Sequence, residues 1–330
     1  MTIKKIFSLA AKGTLYLASA TLLLLIAFRV ASSIRESKNN REAAPKTGSF
    51  VHAGDTDLFV QTAGPANGPV IVLVHGTAAW SETWRDTMTT LAQHGYRAIA
   101  IDLPPFGFAD IPPNQSYSPE EQGLRIAQAF SALKLNDAVL VGHSFGSRAT
   151  VEAALMLGKK VKALVLVDAA LGLEKGSVGP GFLTASLLAL PPLRDALVAS
   201  TITNTLLTKK ILSTLVYNQE SLTEAKVAIY QTPGVITGKT QEISAWLSGF
   251  LGPNTLSKSN TEKTYKELTL PTLLIWGEKD TTTPLSQADH ILALLPHGTL
   301  SKLTNVGHIP QIEAPEKFNK LLLDFLTTIK

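Results

Sequence analysis

The sequence predicts an α/β fold, a mostly parallel, doubly wound sheet interrupted once by a helical insertion. Three observations carry this expectation. Short apolar runs at Val70–Val74, Ala98–Ile101, Ala138–Val141, Ala163–Val167 and Thr272–Trp276 alternate with longer stretches of helical apolar spacing, as strands buried on both faces and their crossover helices require. Polar residues stand just past the ends of these runs: His75, Asp102, Ser144, Asp168 and Asp280. The alternation stops from Leu171 to about Glu267 and then resumes.

In chain order, Phe50–Ala53 and Leu58–Gln61 are short strand candidates separated by the turn signal Gly54-Asp55. The run Val70–Val74 is followed by helical spacing over Trp80–His94, and Ala98–Ile101 by a helix over Gln122–Leu133. Ala138–Val141 leads through Gly142-His143-Ser144-Phe145-Gly146 into a helix over Ser147–Leu157. The insertion shows helical patches at Phe182–Leu190, Leu193–Thr203, Leu206–Tyr217, Leu222–Tyr230 and Ile243–Leu251. Breaks are expected at Pro191-Pro192, Pro233-Gly234 and Gly252-Pro253. After Thr272–Trp276 come a helix near Leu285–Leu295, a strand near Thr299–Leu303 and a last helix over Pro315–Ile329.

Hydrophobic content of 45% against 17% charged residues supports a large core and excludes a disordered chain. With no cysteine there is no disulfide framework, thiolate nucleophile or cysteine metal site. The basic balance is local. Residues 1–46 hold eight basic and two acidic residues, a net of +6, and the rest hold 22 basic and 24 acidic. A nucleic-acid partner is therefore not expected.

Gly13–Phe28 carries no charge. Those residues would span about 24 Å as a helix, and extension back to Ile6 exceeds the roughly 30 Å bilayer core, with Lys12 able to snorkel. The expectation is an uncleaved single-pass anchor over 1–31, followed by a polar tether over 32–49. A cleaved signal is the competing reading, because Ala18-Ser19-Ala20 resembles a cleavage site, although it precedes the most apolar run. Basic residues flank the span on both sides, so the positive-inside rule does not decide the topology. The extracytoplasmic side is the reading carried forward. The remaining expected boundaries are a core over 50–170, a helical cap over 171–267 and the rest of the core over 268–330.

In an open α/β sheet, ligands bind beyond the carboxyl ends of the strands, so His75-Gly76-Thr77, Asp102, Ser144, Asp168, Asp280 and His308 form the candidate site. The pattern of apolar run, small-x-Ser-x-small and helix is that of a nucleophile elbow, with Gly142 and Gly146 permitting close backbone approach. A serine hydroxyl needs a base, and His308 in Asn305-Val306-Gly307-His308 follows the last strand. Asp280 is the acid expected to orient His308, with Asp168 and Glu278 as rivals.

Together, His75-Gly76, Asp102-Leu103-Pro104-Pro105-Phe106-Gly107, Gly142-x-Ser144-x-Gly146, Trp276-Gly277-Glu278-Lys279-Asp280 and Val306-Gly307-His308-Ile309-Pro310 resemble the α/β-hydrolase fold with a helical cap. The chain order Ser, acid, His is that fold's order. The resemblance implies Ser144, His308 and Asp280 as a catalytic triad, the amides of Thr77 and Phe145 as an oxyanion hole, and His75, Gly76, Gly142 and Gly146 as supporting residues. Two departures stand beside the site: Pro105 where many relatives have glycine, and Ser147 after the elbow.

No cofactor is implied, and no His/Asp cluster with metal-ligand spacing stands out. The favoured activity is hydrolysis of a small, apolar carboxylic ester or related acyl compound through an acyl-enzyme. The alternatives are a C–C bond hydrolase or an iminopeptidase on the same scaffold, and a non-catalytic binding protein. Cap residues Phe182, Leu183, Leu187, Leu188, Leu190, Tyr217, Tyr230, Trp246 and Phe250 are candidates to line an apolar pocket. An iminopeptidase would want acids from Glu174, Asp195, Glu220, Glu224 and Glu242 around a substrate amine.

Overall fold

The computed structural model describes residues 3–173, 186, 188–250 and 257–329. Among them, β1 (Gly48–Ala53), β2 (Thr56–Ala63), β3 (Val70–Val74), β4 (Arg97–Ile101), β5 (Ala138–His143), β6 (Val161–Val167), β7 (Thr272–Gly277) and β8 (Gly298–Leu303) form one sheet in the order β1-β2-β4-β3-β5-β6-β7-β8. β2 runs antiparallel to β1 and β4, and all other pairs are parallel. The Gly54-Asp55 turn closes the first hairpin, with Gly54 at a φ of +76° that favours glycine. Strand order reverses between β3 and β5, so the crevice above their carboxyl ends is where this topology places a ligand.

The described helices are α1 (Ile3–Arg35), α2 (Asn40–Ala43), α3 (Arg85–Gln93), α4 (Pro119–Ala132), α5 (Gly146–Leu157), α6 (Pro191–Ser200), α7 (Thr208–Ser213), α8 (Glu224–Gln231), α9 (Lys239–Phe250), α10 (Glu262–Lys266), α11 (Leu285–Leu294), α12 (Pro310–Glu313) and α13 (Pro315–Thr328). Val139 and Val141 of β5 pack with Trp84, Met88 and Leu91 by α3 and with Phe318 and Leu322 of α13. Ala138 and Leu140 face the other way, toward Ile126 and Phe130 of α4 and Ala149 and Ala153 of α5. Burial on both faces is why the strand sequences are continuously apolar rather than alternating.

Helices α6 to α10 lie between β6 and β7. Pro191 and Pro192 open α6 instead of breaking a helix, because an N1 proline lacks only an N–H that would have no intrahelical partner. α9 begins at Lys239, four residues before the apolar pattern does. The expected Phe182–Leu190 patch lies largely outside the described residues, as do Phe182, Leu183 and Leu187, and the Gly252-Pro253 break lies wholly outside them.

The largest difference from expectation is at the N-terminal end. α1 is one unbroken helix that runs four residues past the expected boundary at 31. Residues 32–49 are not a free tether. Ser32 is 1% exposed, and the Arg35 Nε–H donates to the Gly234 carbonyl at 2.9 Å. Ser37 and Lys38 both donate to Val235 O, and the buried Glu36 carboxylate accepts from the Thr240 amide and hydroxyl. Asn40 Nδ2 donates to the Ala109 carbonyl at 2.7 Å, and Arg41 pairs with Asp57 and Asp110. The segment reads as polar and aperiodic because its partners are distant in sequence, so no local pattern reports them. The short-range device with a sequence signature is the capping box of Asn39 and Glu42.

Lys38, Arg41 and Lys46 make this segment a natural tryptic target. Glu36→Ala leaves the Thr240 amide and hydroxyl without their carboxylate, so trypsin should cut between residues 38 and 46 at least several-fold faster than in the parent. Equal cleavage rates on a gel time course would show that the Glu36 contacts do not hold the segment.

Candidate active site

Ser144 sits at the sharp junction of β5 and α5 with a φ of +48°, a left-handed conformation that costs a non-glycine residue about 1–3 kcal/mol. The surroundings hold it there. Its N–H donates to the Val167 carbonyl at 2.9 Å, and its own carbonyl accepts from Ser147 and Ala170. Gly142 and Gly146 have no room for a side chain: a Cβ on Gly146 would lie 2.3 Å from the His75 carbonyl oxygen, and one on Gly142 would lie 2.8 Å from Ser147 Cα. Ser147, one of the two departures noted in the sequence, donates its hydroxyl to the Gly142 carbonyl at 2.9 Å and ties the turn to the strand behind it.

The turn after β3 is pressed against this elbow. A Cβ on Gly76 would meet the His143 ring at 2.6 Å and Ser144 Cβ at 3.2 Å. His75 is fully buried; its Nδ1–H donates to the Gly76 carbonyl at 2.8 Å and its Nε2 accepts from the Leu103 amide at 2.9 Å. Burial pushes its pKa down to about 4, which keeps the ring neutral and this tautomer fixed. Asp102 caps the same region from β4, accepting from the Ser81 and Phe108 amides at 2.7 Å each. Thr77, which follows Gly76, is exposed, and Phe145, which follows Ser144, is buried.

Ser144 Oγ lies 2.8 Å from His308 Nε2, and His308 Nδ1 lies 2.7 Å from Asp280 Oδ2. Asp280 Oδ1 accepts from the Thr282 and Thr283 amides at 2.7 and 3.0 Å, while the Thr283 hydroxyl donates to Oδ2 at 2.6 Å. Burial alone would raise the Asp280 pKa, but the bonds from His308 and Thr283 outweigh it and hold the carboxyl below its ordinary range. With Asp280 ionised, His308 carries its proton on Nδ1 and presents an unprotonated Nε2 to the Ser144 hydroxyl. His143 is no competitor. Its Nε2–H donates to the His308 carbonyl at 2.7 Å, and burial, with His308 beside it, lowers its pKa to about 3.

The rival acids separate cleanly. Glu278 is exposed. Asp168 is buried at the end of β6, its Oδ1 accepting from the Gly277 amide at 2.9 Å. Donor atoms of Asp168, Asp280 and His308 all lie within 4.8 Å of one another. Burial and the nearby Asp280 carboxylate raise the Asp168 pKa well above its ordinary value. The two adjacent carboxyls are thus shifted in opposite directions, Asp280 toward its charged form and Asp168 toward its neutral one.

Sequence reasoning missed Thr283 and Glu313. Thr283 is legible after the fact, as the end of Asp280-Thr281-Thr282-Thr283, where an aspartate folds back on the amides two and three residues ahead. The buried Glu313 has a longer reach: Oε2 accepts from the Gly307 amide at 2.7 Å, while Oε1 accepts from the Tyr217 and Asn218 amides at 3.0 and 2.6 Å. One carboxylate thus joins the histidine turn to the insertion, and the Leu215 carbonyl accepts from the His308 amide at 2.6 Å.

Over the site, Phe106, Phe145, Val198, Ile243 and Trp246 form a buried apolar cluster, with the Phe106 and Trp246 rings 5.0 Å apart. Of the other expected pocket residues, Leu190 and Tyr217 are exposed and Tyr230 packs in a separate cluster with Val216 and Val227. Among the acids considered for an amine pocket, Glu220 and Glu224 are exposed, Asp195 is half-buried, Glu242 pairs with Lys239 at 2.8 Å and Glu174 lies outside the described residues. Lys239 also donates to the Pro105 carbonyl at 2.9 Å, so the other departure, Pro105, belongs to a contact between insertion and core.

Residues 69–315 match the family model described as the alpha/beta hydrolase fold, three-quarters of the chain. The chain belongs to the α/β-hydrolase fold family. A 2-hydroxy-6-oxononadienedioate/2-hydroxy-6-oxononatrienedioate hydrolase of Pseudomonas putida is 26% identical to this α/β hydrolase over 290 residues, covering 86% of this chain and 97% of the relative. A meta-cleavage product hydrolase of Pseudomonas fluorescens IP01 superposes with a TM-score of 0.70 at 24% identity, covering 86% and 99% of the two chains. A bacterial membrane phospholipase A superposes with a TM-score of 0.66 at 22% identity, and there the match covers 98% of this α/β hydrolase and 96% of that chain.

The opposite shifts of the two acids give a direct test. Asp280→Asn should lower kcat about 10⁴-fold by inverting the His308 tautomer, whereas Asp168→Asn, which mimics a neutral acid, should stay within several-fold of the parent. The pH dependence of stability follows. A carboxyl with a raised folded pKa binds more protons folded than unfolded, so its contribution falls as pH rises from its ordinary value through the folded one. Asp168→Asn removes that slope, and urea midpoints should show a variant gaining on the parent as pH increases. An unchanged difference across pH would contradict a neutral Asp168.

Proposed function

We propose that this α/β hydrolase cleaves a carbon–carbon bond beside a ketone in a small molecule of the 2-hydroxy-6-oxo-dienoate class, using Ser144 as nucleophile, His308 as base and acid, and Asp280 to orient His308. The observation that carries the reaction type is the continuous hydrogen-bonded line Ser144–His308–Asp280 at the strand ends. The substrate class rests on the relatives, several of which are hydrolases of 2-hydroxy-6-oxo compounds at 26–28% identity over most of their length. The ester substrate favoured by sequence alone becomes the second reading.

The steps follow from the geometry. Ser144 Oγ attacks the ketone carbon while Nε2 of His308 takes its proton. The oxyanion that forms is received by the Thr77 and Phe145 amides, each such donor contributing about 3 kcal/mol to the transition state. Collapse breaks the C–C bond. For this the 2-hydroxy-diene must first ketonise, its hydroxyl proton moving to C5, so that the electron pair released on C5 is delocalised through C3 and C4 onto the C2 carbonyl; His308 then returns the Ser144 proton to C5. Water, activated by His308, then attacks the acyl-Ser144 ester and frees the carboxylic acid. No cofactor enters these steps.

The apolar cluster of Phe106, Val198, Ile243 and Trp246, and the neutralisation of Lys239 by Glu242, also suit an uncharged acyl chain and so support the ester reading. We take residues 50–170 and 268–330 as the catalytic core, 171–267 as the cap and α1 as a single-pass membrane anchor. The apolar segment Lys12–Arg35, with a mean hydropathy of 1.9, supports the anchor.

A paired assay separates the two readings. The purified full chain and Ser144→Ala are given 2-hydroxy-6-oxo-dienoates of varied C6 substituent, followed by loss of the dienoate chromophore, and p-nitrophenyl esters of varied chain length. The expected result is Ser144-dependent turnover with kcat/KM at least tenfold higher for the best dienoate than for the best ester. Ester turnover with inert dienoates would sink the carbon–carbon reading and leave the serine mechanism standing.

A further inference from the structure

The junction between α1 and the cap has no spacer. The apolar segment Lys12–Arg35 is 24 residues long, about 36 Å as a helix against a bilayer core of roughly 30 Å. Its last turn already lies against the protein on one side: Ser32 is buried, Arg35 is bonded to Gly234, and the next residues are bonded to Val235 and Thr240. α1 also packs along α6. A rigid rod that emerges directly from the cap fixes how far the cap can stand from whatever surrounds the rod.

The cap surface next to this exit is apolar where it faces outward. Val30 and Ile34 are exposed on α1 itself, and Leu190 is exposed at the start of α6. Leu206 is 83% exposed. It follows Thr205, whose carbonyl accepts from Gln231 Nε2, three residues before the Gly234 that holds Arg35. Ile211 of α7 is exposed a turn further on, beside the exposed Lys209 and Lys210. A single exposed leucine needs no explanation, but apolar side chains that continue the surface of a membrane-length helix form a patch. Lysines at its rim can reach lipid headgroups while their stems stay apolar.

We propose that the cap face around the α1 exit, formed by Leu190, Leu206 and Ile211 with Val30 and Ile34, rests in the interface of the bilayer that α1 crosses. This rests on the anchor reading of α1 and adds that the cap, rather than the sheet, is the membrane-contacting side. The catalytic elbow lies beneath that cap, so an apolar substrate dissolved in the membrane meets the cap first.

The four native tryptophans, Trp80, Trp84, Trp246 and Trp276, are all buried and give a constant background. The full chain carrying Leu206→Trp, or Ile211→Trp as a second reporter, is reconstituted in phosphatidylcholine vesicles brominated high on the acyl chains. Leu155→Trp, near the end of α5 remote from the elbow, is the reference. Ser144 labelling by a fluorophosphonate verifies folding, and vesicle flotation verifies the anchor. The expected result is quenching at 206 and 211 at least twice that at 155. Flotation with equal, weak quenching at all three sites would overturn the docking while leaving the anchor. A chain that does not float overturns both. Weak quenching in a dimer-sized particle would assign the face to a second copy, also against the proposal.

Discussion

The left-handed backbone at Ser144 is the constraint on which the site depends. A serine held at a φ of +48° cannot relax into β5 or into α5, and its hydroxyl stands clear of both. Holding it there uses the Val167 carbonyl from the neighbouring strand, the Ser147 hydroxyl, and two glycines with no space for a Cβ. The His75-Gly76 turn can approach because neither Gly146 nor Gly76 carries a Cβ. The reversal of strand order between β3 and β5 supplies the crevice in which these parts meet.

Electrostatics complete the arrangement by dividing labour among buried titratable groups. His75 and His143, both within reach of the elbow, are kept neutral by burial, with pKa values lowered to about 4 and about 3. Of the three histidines here, His308 is the one bonded to a carboxylate whose pKa is lowered, Asp280. Asp168 takes the opposite role. Burial and the nearby Asp280 push it toward its neutral form, which disfavours a second negative charge beside Asp280 and His308. The donor atoms of Asp168, Asp280 and His308 lie close enough together for a metal ion, yet hydrogen bonding and unequal proton occupancy account for their closeness.

The strands, and the residues that form the hydrogen-bonded line Ser144–His308–Asp280, were legible because their signals are local. An apolar run ending in a polar residue is a strand carrying its side chain to the crevice, and Ser144, Asp280 and His308 each follow that pattern. The 32–49 segment was misread for the opposite reason: Glu36 finds Thr240, and Arg41 finds Asp57 and Asp110, only after folding. Glu313 was missed on the same ground, since its worth lies in joining Gly307 to Tyr217 and Asn218. Expected pocket residues in the insertion divided by packing that sequence does not report: Trp246 is buried by the site, while Leu190 and Tyr217 are exposed. Ester and carbon–carbon cleavage use the same triad, so the substrate class came from relatives rather than from the triad itself.

Contacts between insertion and core link the membrane-length helix to the chemistry. Glu36 binds Thr240 on α9, its neighbour Lys239 grips Pro105, and Phe106 packs against Phe145 beside the nucleophile. All of this has functional meaning only if Ser144 forms a covalent intermediate. The most direct measurement is rapid acid quench of the full chain with p-nitrophenyl acetate, followed by peptide mass mapping. The expected result is one acetyl group on the peptide bearing Ser144, accumulating in a burst in the parent and absent from Ser144→Ala. Turnover by folded protein with no adduct on that peptide, or with the acetyl group on another residue, would contradict the account.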